Sequence, residues 1–154
     1  MKISRSLATA ATAIALVSAL AGCSSTVTLE AAPQANNPAC AQVSVRLPDQ
    51  VEGLAKRSTD AQATGAWGNP AAVLLRCGLP EVTVSKLPCV SDNGVDWLVD
   101  NSKAPTYRFI TFARNPATEV IVDSHGAAGV SVLSDLSAAI QTIPASKVCT
   151  TVSN

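Results

Sequence analysis

Cysteine content is the strongest constraint on how this chain can fold. Four cysteines follow Cys23, namely Cys40, Cys77, Cys89 and Cys149. An even set in an exported chain predicts a disulfide framework, and four cysteines allow three pairings. We expect two disulfides, Cys77–Cys89 because these residues are close in sequence and Cys40–Cys149 by elimination. A zinc site is the competing interpretation, which is disfavoured because the chain has one histidine and no C-x₂-C pair.

The first 23 residues indicate export. Lys2 and Arg5 precede an uncharged stretch, Leu7 to Gly22, that leads directly into Cys23. A positive start, an apolar run and small residues before a cleavage point are typical of a secretory signal peptide. The run "LAGC" at residues 20–23 matches the lipobox of bacterial lipoprotein precursors. In such precursors the cysteine thiol receives a diacylglyceryl group, and two acyl chains are enough for stable anchoring.

Cleavage before Cys23 divides the chain into three predicted parts. Residues 1–22 form the signal peptide, residues 23–36 a short tether from the lipidated cysteine, and residues 37–154 a single globular domain. The mature chain of 154 − 22 = 132 residues is enough for one ordinary domain. We therefore expect a protein that is held at the cell membrane by its lipid and faces the extracytoplasmic side.

Charge argues against a nucleic-acid partner. The full chain has 11 basic and 11 acidic side chains, and loss of Lys2 and Arg5 leaves 9 and 11, a formal charge of −2. Nucleic acids and anionic lipid surfaces both favour clustered lysine and arginine. Binding to the membrane is thus expected through the diacylglyceryl group.

Local patterns predict an α+β domain with a helix near each end. Asn37 as N-cap and Pro38 at the first helical position begin a helix that Pro48 ends. Apolar side chains recur every three or four residues from about Ala127 to Thr142, which predicts a second, amphipathic helix. Its apolar stripe consists of Val130, Leu133, Leu136, Ile140 and Ile143.

The residues between the helices predict β-structure. Asn93-Gly94 lies between two alternating segments, which indicates a hairpin. Alternating or branched apolar runs predict further strands at residues 71–78, 106–114 and 118–123. We expect an antiparallel sheet of four to six strands with both helices packed on one face. Residues 48–70 have no clear assignment.

Candidate functional residues are few and weakly marked. His125, the one histidine, follows Asp123 and Ser124, whose short oxygen side chains are expected to cap the next helix. Trp67 lies between two glycines and is the best candidate for an exposed aromatic residue. Together with Asp96 and Arg114, these residues are possible binding positions.

Recognisable catalytic and cofactor motifs are absent from the sequence. There is no G-x-S-x-G nucleophile elbow and no phosphate or dinucleotide fingerprint. Asp92, Asp96 and Asp100 could surround a hairpin tip, but their spacing lacks the ordered pattern of a calcium loop. We therefore expect no metal site, no cofactor and no enzymatic activity.

Several short motifs resemble one known family. "APQANNPAC", "AWGNP" followed by "LLRCG", then "GVDW" and "ARNP" occur in this order between about Val27 and Cys149. They resemble an actinobacterial family of exported proteins known as domain of unknown function 3515. The resemblance implies an exported single domain; no activity, cofactor or catalytic residue is established for the family, so it adds no function. The positions that carry it are both tryptophans, Gly68, Pro70, Arg76, Cys77, Gly78, Asp96, Arg114 and Pro116.

Two classes of function follow from these observations. The first is a non-enzymatic envelope lipoprotein that binds a partner protein or a cell-wall component. The alternatives are a small cell-wall-acting hydrolase, with Asp96, Arg114 and His125 converging in a cleft, and a ligand-binding lipoprotein. Convergence of these three residues would favour an enzyme or a ligand binder, whereas an exposed patch around Trp67 would favour a protein interface.

Overall fold

The computed structural model describes residues 25–150, so the predicted signal peptide, Cys23 and the last four residues lie outside the described part. Within this range no helix is long and apolar enough to cross a membrane. The elements are α1 (Pro38–Ser44), β1 (Gln50–Val51), β2 (Leu54–Arg57), β3 (Thr64–Trp67), β4 (Val73–Leu79), β5 (Cys89–Asp92), β6 (Val95–Asp100), β7 (Thr106–Thr111), β8 (Ala117–Asp123) and α2 (Gly129–Ile140).

All eight strands form one antiparallel sheet in the order β1-β2-β3-β4-β8-β7-β6-β5. Strands β1 to β4 form one meander and strands β5 to β8 a second, and the two meet where β4 pairs with β8. In this central pairing Leu74 lies opposite Ile121, and Arg76 lies opposite Glu119. The predicted single α+β domain, with an antiparallel sheet and a helix near each end, is confirmed.

The sheet has more strands than the expected four to six because residues 48–70 contain three. β1, β2 and β3 are only two to four residues long. Such short strands contain too few positions for a period of two to be recognised. A tight turn at Glu52 and Gly53, both with positive φ, joins the first two strands.

Both helices pack on the same face of the sheet, which we call the helix face. Alternation along β4 places Val73, Leu75 and Cys77 on this face, where all three are buried, and Leu74 and Arg76 on the opposite, open face. Because successive strand side chains point to opposite faces, each strand contributes every second residue to the main core. That core also contains Trp67, Trp97, Phe109, Val120, Val122, Leu133, Leu136 and Ile140.

The start of α1 agrees with the sequence prediction. Asn37 Oδ1 accepts a hydrogen bond of 2.9 Å from Ala39 N–H, and Pro38 occupies the first turn. The helix ends at Ser44 rather than at Pro48. The chain continues as tighter turns, in which the N–H groups of Arg46 and Leu47 donate to carbonyls three residues back.

The two disulfides pair differently from our expectation. Cys40 is bonded to Cys77, and Cys89 is bonded to Cys149. The expected Cys77–Cys89 and Cys40–Cys149 bonds are wrong because they would join opposite faces of the sheet. Cys40 and Cys77 lie in the main core, whereas Cys89 and Cys149 pack against a smaller apolar cluster on the other side, around Leu98, Ile110 and Phe112.

The segment expected to be a tether lies against the domain from residue 25 onward. Val27 forms a parallel bridge with Thr59, and Leu29 N–H donates to Asp60 Oδ1 at 2.9 Å. The hydrogen bond from Leu29 holds the pKa of the Asp60 carboxyl below its usual value. Leu29 also borders a hollow on the open face with Ile121. The start of the described chain is therefore fixed at the open face.

From the open face the chain passes around the end of β4 to reach α1. Gln34 N–H donates to the Gly78 carbonyl at 2.8 Å. Gly78 has a φ of +116°, and a Cβ there would lie 2.5 Å from Ala35 N. Glycine is thus required both for the backbone conformation and for the close approach of residues 34–35.

Candidate functional site

An apolar cleft lies on the helix face, between the first half of α2 and strands β5, β6 and β7. Its volume is about 390 Å³. Side chains of Val99, Tyr107 and Phe109 belong to the strands, and Leu133 belongs to the helix wall. α2 contacts both edge strands, β1 and β5, and the cleft lies between its first turns and strands β5 to β7.

Close packing of α2 on β7 forms the inner end of the cleft. A Cβ at Gly129 would lie 3.0 Å from Cζ of Phe109, so glycine lets the helix begin directly over this ring. Ala127 and Ala128, in the turn before the helix, also line the cleft. These small residues leave space above the aromatic floor instead of filling it.

Two exposed valines border the cleft. Val130 on α2 is 74% exposed and Val90 on β5 is 43% exposed. Val130 belongs to the predicted apolar stripe of α2, whose other four members are buried. Val130 therefore borders the cleft and does not pack in the core. An exposed apolar side chain at the border of a concave site is typical of ligand-binding surfaces.

Polar groups in the cleft are few. Ser91, Asp92 and Ser124 line it alongside the apolar residues. Asp92 Oδ2 is buried and has no hydrogen-bond partner in the described part of the chain. The N-cap residue of α2, Ala128, has no side chain that could cap the helix. Its N–H donates to the carboxylate of Glu52. A mainly apolar concavity with a few polar groups has the character of a small-molecule site.

A larger hollow of about 590 Å³ is less suited to ligand binding. It lies beside residues 83–88 and the Cys89–Cys149 disulfide. Much of its wall is therefore loop, whereas the cleft beside α2 is bordered mainly by a helix and three paired strands. Sites on regular elements hold their geometry more precisely than sites on loops.

The open face carries a third hollow, of about 210 Å³, beside a charged cluster. Glu119 accepts hydrogen bonds from both Arg76 and Arg108, and its side chain is only 2% exposed. Both oxygens of this buried carboxylate are therefore occupied by arginine. The hydrogen-bonding groups of this cluster pair with one another, and the cluster links strands β4, β8 and β7.

Trp67 is buried, so the expectation of an exposed tryptophan is wrong. Its side chain is fully enclosed, and its indole N–H donates to the Pro48 carbonyl at 3.0 Å. Residues from β1 and the segment after α1 cover it, namely Val51 and Leu47, which belong to the same core cluster. In this position Trp67 holds the poorly predicted 48–70 segment to the core.

Asp96 and Arg114 make contacts that support the fold. Asp96 accepts hydrogen bonds from the Ser91 hydroxyl and from Cys149 N–H. Arg114 donates to the carbonyls of Gly94 and Ile143, which connects the β5–β6 turn to the chain after α2. Burial lowers the pKa of Arg114, and the negative charge of Asp96 partly opposes this.

His125 lies apart from both residues, on the turn between β8 and α2. Its side chain is 79% exposed, and the nearest acid is Asp123, with 3.5 Å between His125 Nδ1 and Asp123 Oδ1. Asp123 also accepts from His125 N–H, so it caps this turn rather than the helix, which begins at Gly129. Across residues 25–150, no hydrogen bond or ion pair joins His125 to Asp96 or Arg114.

The three hairpin aspartates do not converge. Asp92 pairs with Val95 and lies on the helix face, whereas Asp96 pairs with Ser91 and lies on the opposite face. Asp100 accepts a hydrogen bond from Ser102 N–H. Hydrogen bonding from Ser102 is the main cause that lowers the pKa of the Asp100 carboxyl. Within the described residues, no three His, Cys, Asp or Glu side chains are placed to hold a metal ion.

The cleft could be recognised only in part from the sequence. Alternation correctly places Tyr107 and Phe109 on one side of β7 and Ile110 on the other. The helical period correctly identifies Leu133 as buried. Neither pattern predicts how α2 packs against the sheet, and the space between the helix and the strands depends on that packing.

Comparison with known proteins adds one finding. A family model described as "Protein of unknown function (DUF3515)" matches residues 5–148. No curated protein and no solved structure matches the chain.

Proposed function

The chain belongs to the DUF3515 family, and we propose that it is an extracytoplasmic, lipid-anchored binding module whose ligand occupies the cleft between α2 and strands β5–β7. The observation that carries this proposal is the cleft itself. It has a volume of about 390 Å³, apolar walls and two exposed valines at its border. Pockets that take small ligands have these properties.

Binding is proposed instead of catalysis because His125 lies apart from Asp96 and Arg114, and these two residues are engaged in contacts that support the fold. Asp96 and Arg114 are hydrogen-bonded to backbone groups that hold the fold together. His125 lies on an exposed turn and does not line the cleft. A hydrolase of the kind considered above would need a nucleophile and a base within hydrogen-bond reach.

The proposed location, at the membrane on the extracytoplasmic side, rests on the N-terminal sequence and is supported by the disulfides. "LAGC" at residues 20–23 has the order of small residues and cysteine found in lipoproteins. Cys40–Cys77 and Cys89–Cys149 are paired within the domain, which leaves Cys23 as the remaining cysteine. Disulfides persist in oxidising compartments, which agrees with export.

The position of the chain start suggests which way the cleft faces. Arg57 donates to the Ser25 carbonyl and hydroxyl, so the described chain begins at the open-face side. Cys23 is two residues earlier, a span of at most about 7 Å. A lipid on Cys23 would bring the open face near the membrane, and the cleft on the opposite face would be accessible from the aqueous side.

Substitution of Val130 by aspartate should strongly weaken ligand binding without unfolding the protein. Val130 is exposed, and an acid in the first turn of a helix is favourable. A charge at the cleft border should reduce the affinity for a neutral apolar probe, N-phenyl-1-naphthylamine, by at least about tenfold. Fluorescence titration of the mature protein measures this affinity.

Val148→Asp is the matched control, because Val148 is a similarly exposed valine that does not line the cleft. This variant should bind the probe as tightly as the wild type. Equal weakening by both variants, or no binding of the probe to the wild type, would contradict the assignment of the cleft.

The mature protein should carry a diacylglyceryl thioether at an N-terminal Cys23. Mass spectrometry of protein extracted from membranes would identify this group on the first tryptic peptide. Replacement of Cys23 by serine should release the protein from the membrane fraction, since a serine hydroxyl cannot form the thioether. An unmodified Cys23, or cleavage at another position, would rule out the proposed anchor.

A further inference from the structure

Asp92 is an unusual residue to find in an apolar cleft. It is the last residue of β5, and its pairing with Val95 directs it to the helix face. Its Oδ2 is buried, and no group within residues 25–150 forms a hydrogen bond with it. A carboxylate oxygen in this state has lost its bonds to water without replacing them, which destabilises the free protein.

Neighbouring polar groups are already used elsewhere. Asn93, next in the chain, donates through its side-chain amide to the hydroxyl of Ser134. Its carbonyl accepts from the side chain of Gln141. These contacts hold the hairpin tip on α2. The side-chain amides of Asn93 and Gln141 are both used in them, so neither donates to Asp92.

The charge around the cleft is negative. Asp92 is the one ionisable acid among the lining residues, and none of them is lysine, arginine or histidine. At the start of α2, where the helix dipole would favour an anion, the carboxylate of Glu52 already accepts from Ala128 N–H. An anionic ligand would therefore meet the Asp92 carboxylate in the cleft, with Glu52 bonded to Ala128 at its edge, and no basic lining side chain.

From these contacts we propose that the cleft selects amphiphiles whose apolar body ends in a protonated amine, with the ammonium group donating to the Asp92 carboxylate. This inference rests on the proposed binding function. Asp92 lines the cleft, so its side chain borders the space that the ligand would occupy. Charge-assisted hydrogen bonds of this kind are about twice as strong as neutral ones.

Three probes with the same apolar chain separate the effect of charge from that of apolar contact. Octylammonium, octanol and nonanoate each carry an octyl chain and differ in the head group. Isothermal titration calorimetry near neutral pH should show octylammonium binding at least about tenfold more tightly than octanol, and nonanoate more weakly than octanol. Because the comparison uses the wild-type protein, it does not depend on any variant folding.

Replacement of Asp92 by asparagine should remove the preference. Octylammonium should then bind about as tightly as octanol, while the affinity for octanol changes by less than about threefold. Asp49→Asn is the control, because it makes the same change of charge at a residue outside the cleft. The control should retain the preference of the wild type.

The outcomes distinguish this inference from the proposed function. If all three probes bind equally and Val130→Asp weakens them all, the cleft is a binding site but has no preference for amines. If nonanoate binds most tightly, or Asp92→Asn retains the preference for octylammonium, the role of Asp92 is wrong. If no probe binds the wild type, both proposals fail.

Discussion

Replacement of Gly78 by alanine is expected to lower the free energy of unfolding by about 3–5 kcal/mol. Two effects combine at this residue. Its φ of +116° is one that L side chains rarely adopt, and a Cβ would lie 2.5 Å from Ala35 N and 2.6 Å from Gln34 C. Both atoms are backbone, so relief requires residues 34–35 to move away from β4. Urea denaturation followed by circular dichroism measures the change.

Gly53→Ala separates the two effects. Gly53 also has a positive φ, of +74°, but nothing lies within 4 Å of the position a Cβ would take. This variant should lose about 1 kcal/mol, the cost of the left-handed conformation alone. If Gly78→Ala cost no more than Gly53→Ala, the passage of the chain between the two faces at Gly78 would be placed incorrectly.

Removal of the Cys40–Cys77 disulfide should lower the free energy of unfolding by about 2–5 kcal/mol. The bond joins α1 to β4, and both cysteines are fully buried in the main core. The double substitution Cys40→Ala and Cys77→Ala loses the constraint on the unfolded chain and part of the packing around the sulfur atoms. Thermal and denaturant unfolding of this variant measure the loss.

The matched variant removes the other disulfide, between Cys89 and Cys149. This bond closes a longer loop, 60 residues against 37, but it lies beside the smaller apolar cluster. If packing dominates, loss of Cys40–Cys77 should be the more destabilising. A larger effect at Cys89–Cys149 would show that loop entropy dominates, and no effect at Cys40–Cys77 would contradict the observed pairing.

Local sequence patterns predicted the second half of the fold well. Asn93-Gly94 forms the turn between β5 and β6, and the alternation in residues 106–111 places Phe109 in the main core and Ile110 in the smaller cluster. These features depend on neighbours in sequence. A turn type or a period of two can therefore be recognised before any tertiary contact is known.

Features that depend on distant contacts were not predicted. The disulfide pairing follows from which face each cysteine occupies, and separation in sequence contains no information about faces. Trp67 is buried because Pro48 and the β1 region fold back over it, although its flanking glycines suggested an exposed loop. The buried Glu119 between Arg76 and Arg108 likewise appears only when β4, β8 and β7 are paired.

The candidate site belongs to this second group. Val130 and Leu133 belong to the predicted apolar stripe of α2, but the space between the helix and the strands depends on how α2 packs against the sheet. The alternation of β5 and β6 places Asp92 on the helix face and Asp96 on the open face. Alternation alone does not show that Asp92 borders a cleft, because that depends on the packing of α2.

The central claim is that this cleft binds a ligand, and the location of a bound probe tests it most directly. Titration of the isotopically labelled mature protein with octylammonium, followed by two-dimensional NMR, reports the contact residue by residue. We predict the largest amide shifts at Val90, Phe109 and Val130, with little change at Leu74 and Ile121 on the open face. Shifts centred on the open face or on residues 83–88, or none at saturating probe, would contradict the account.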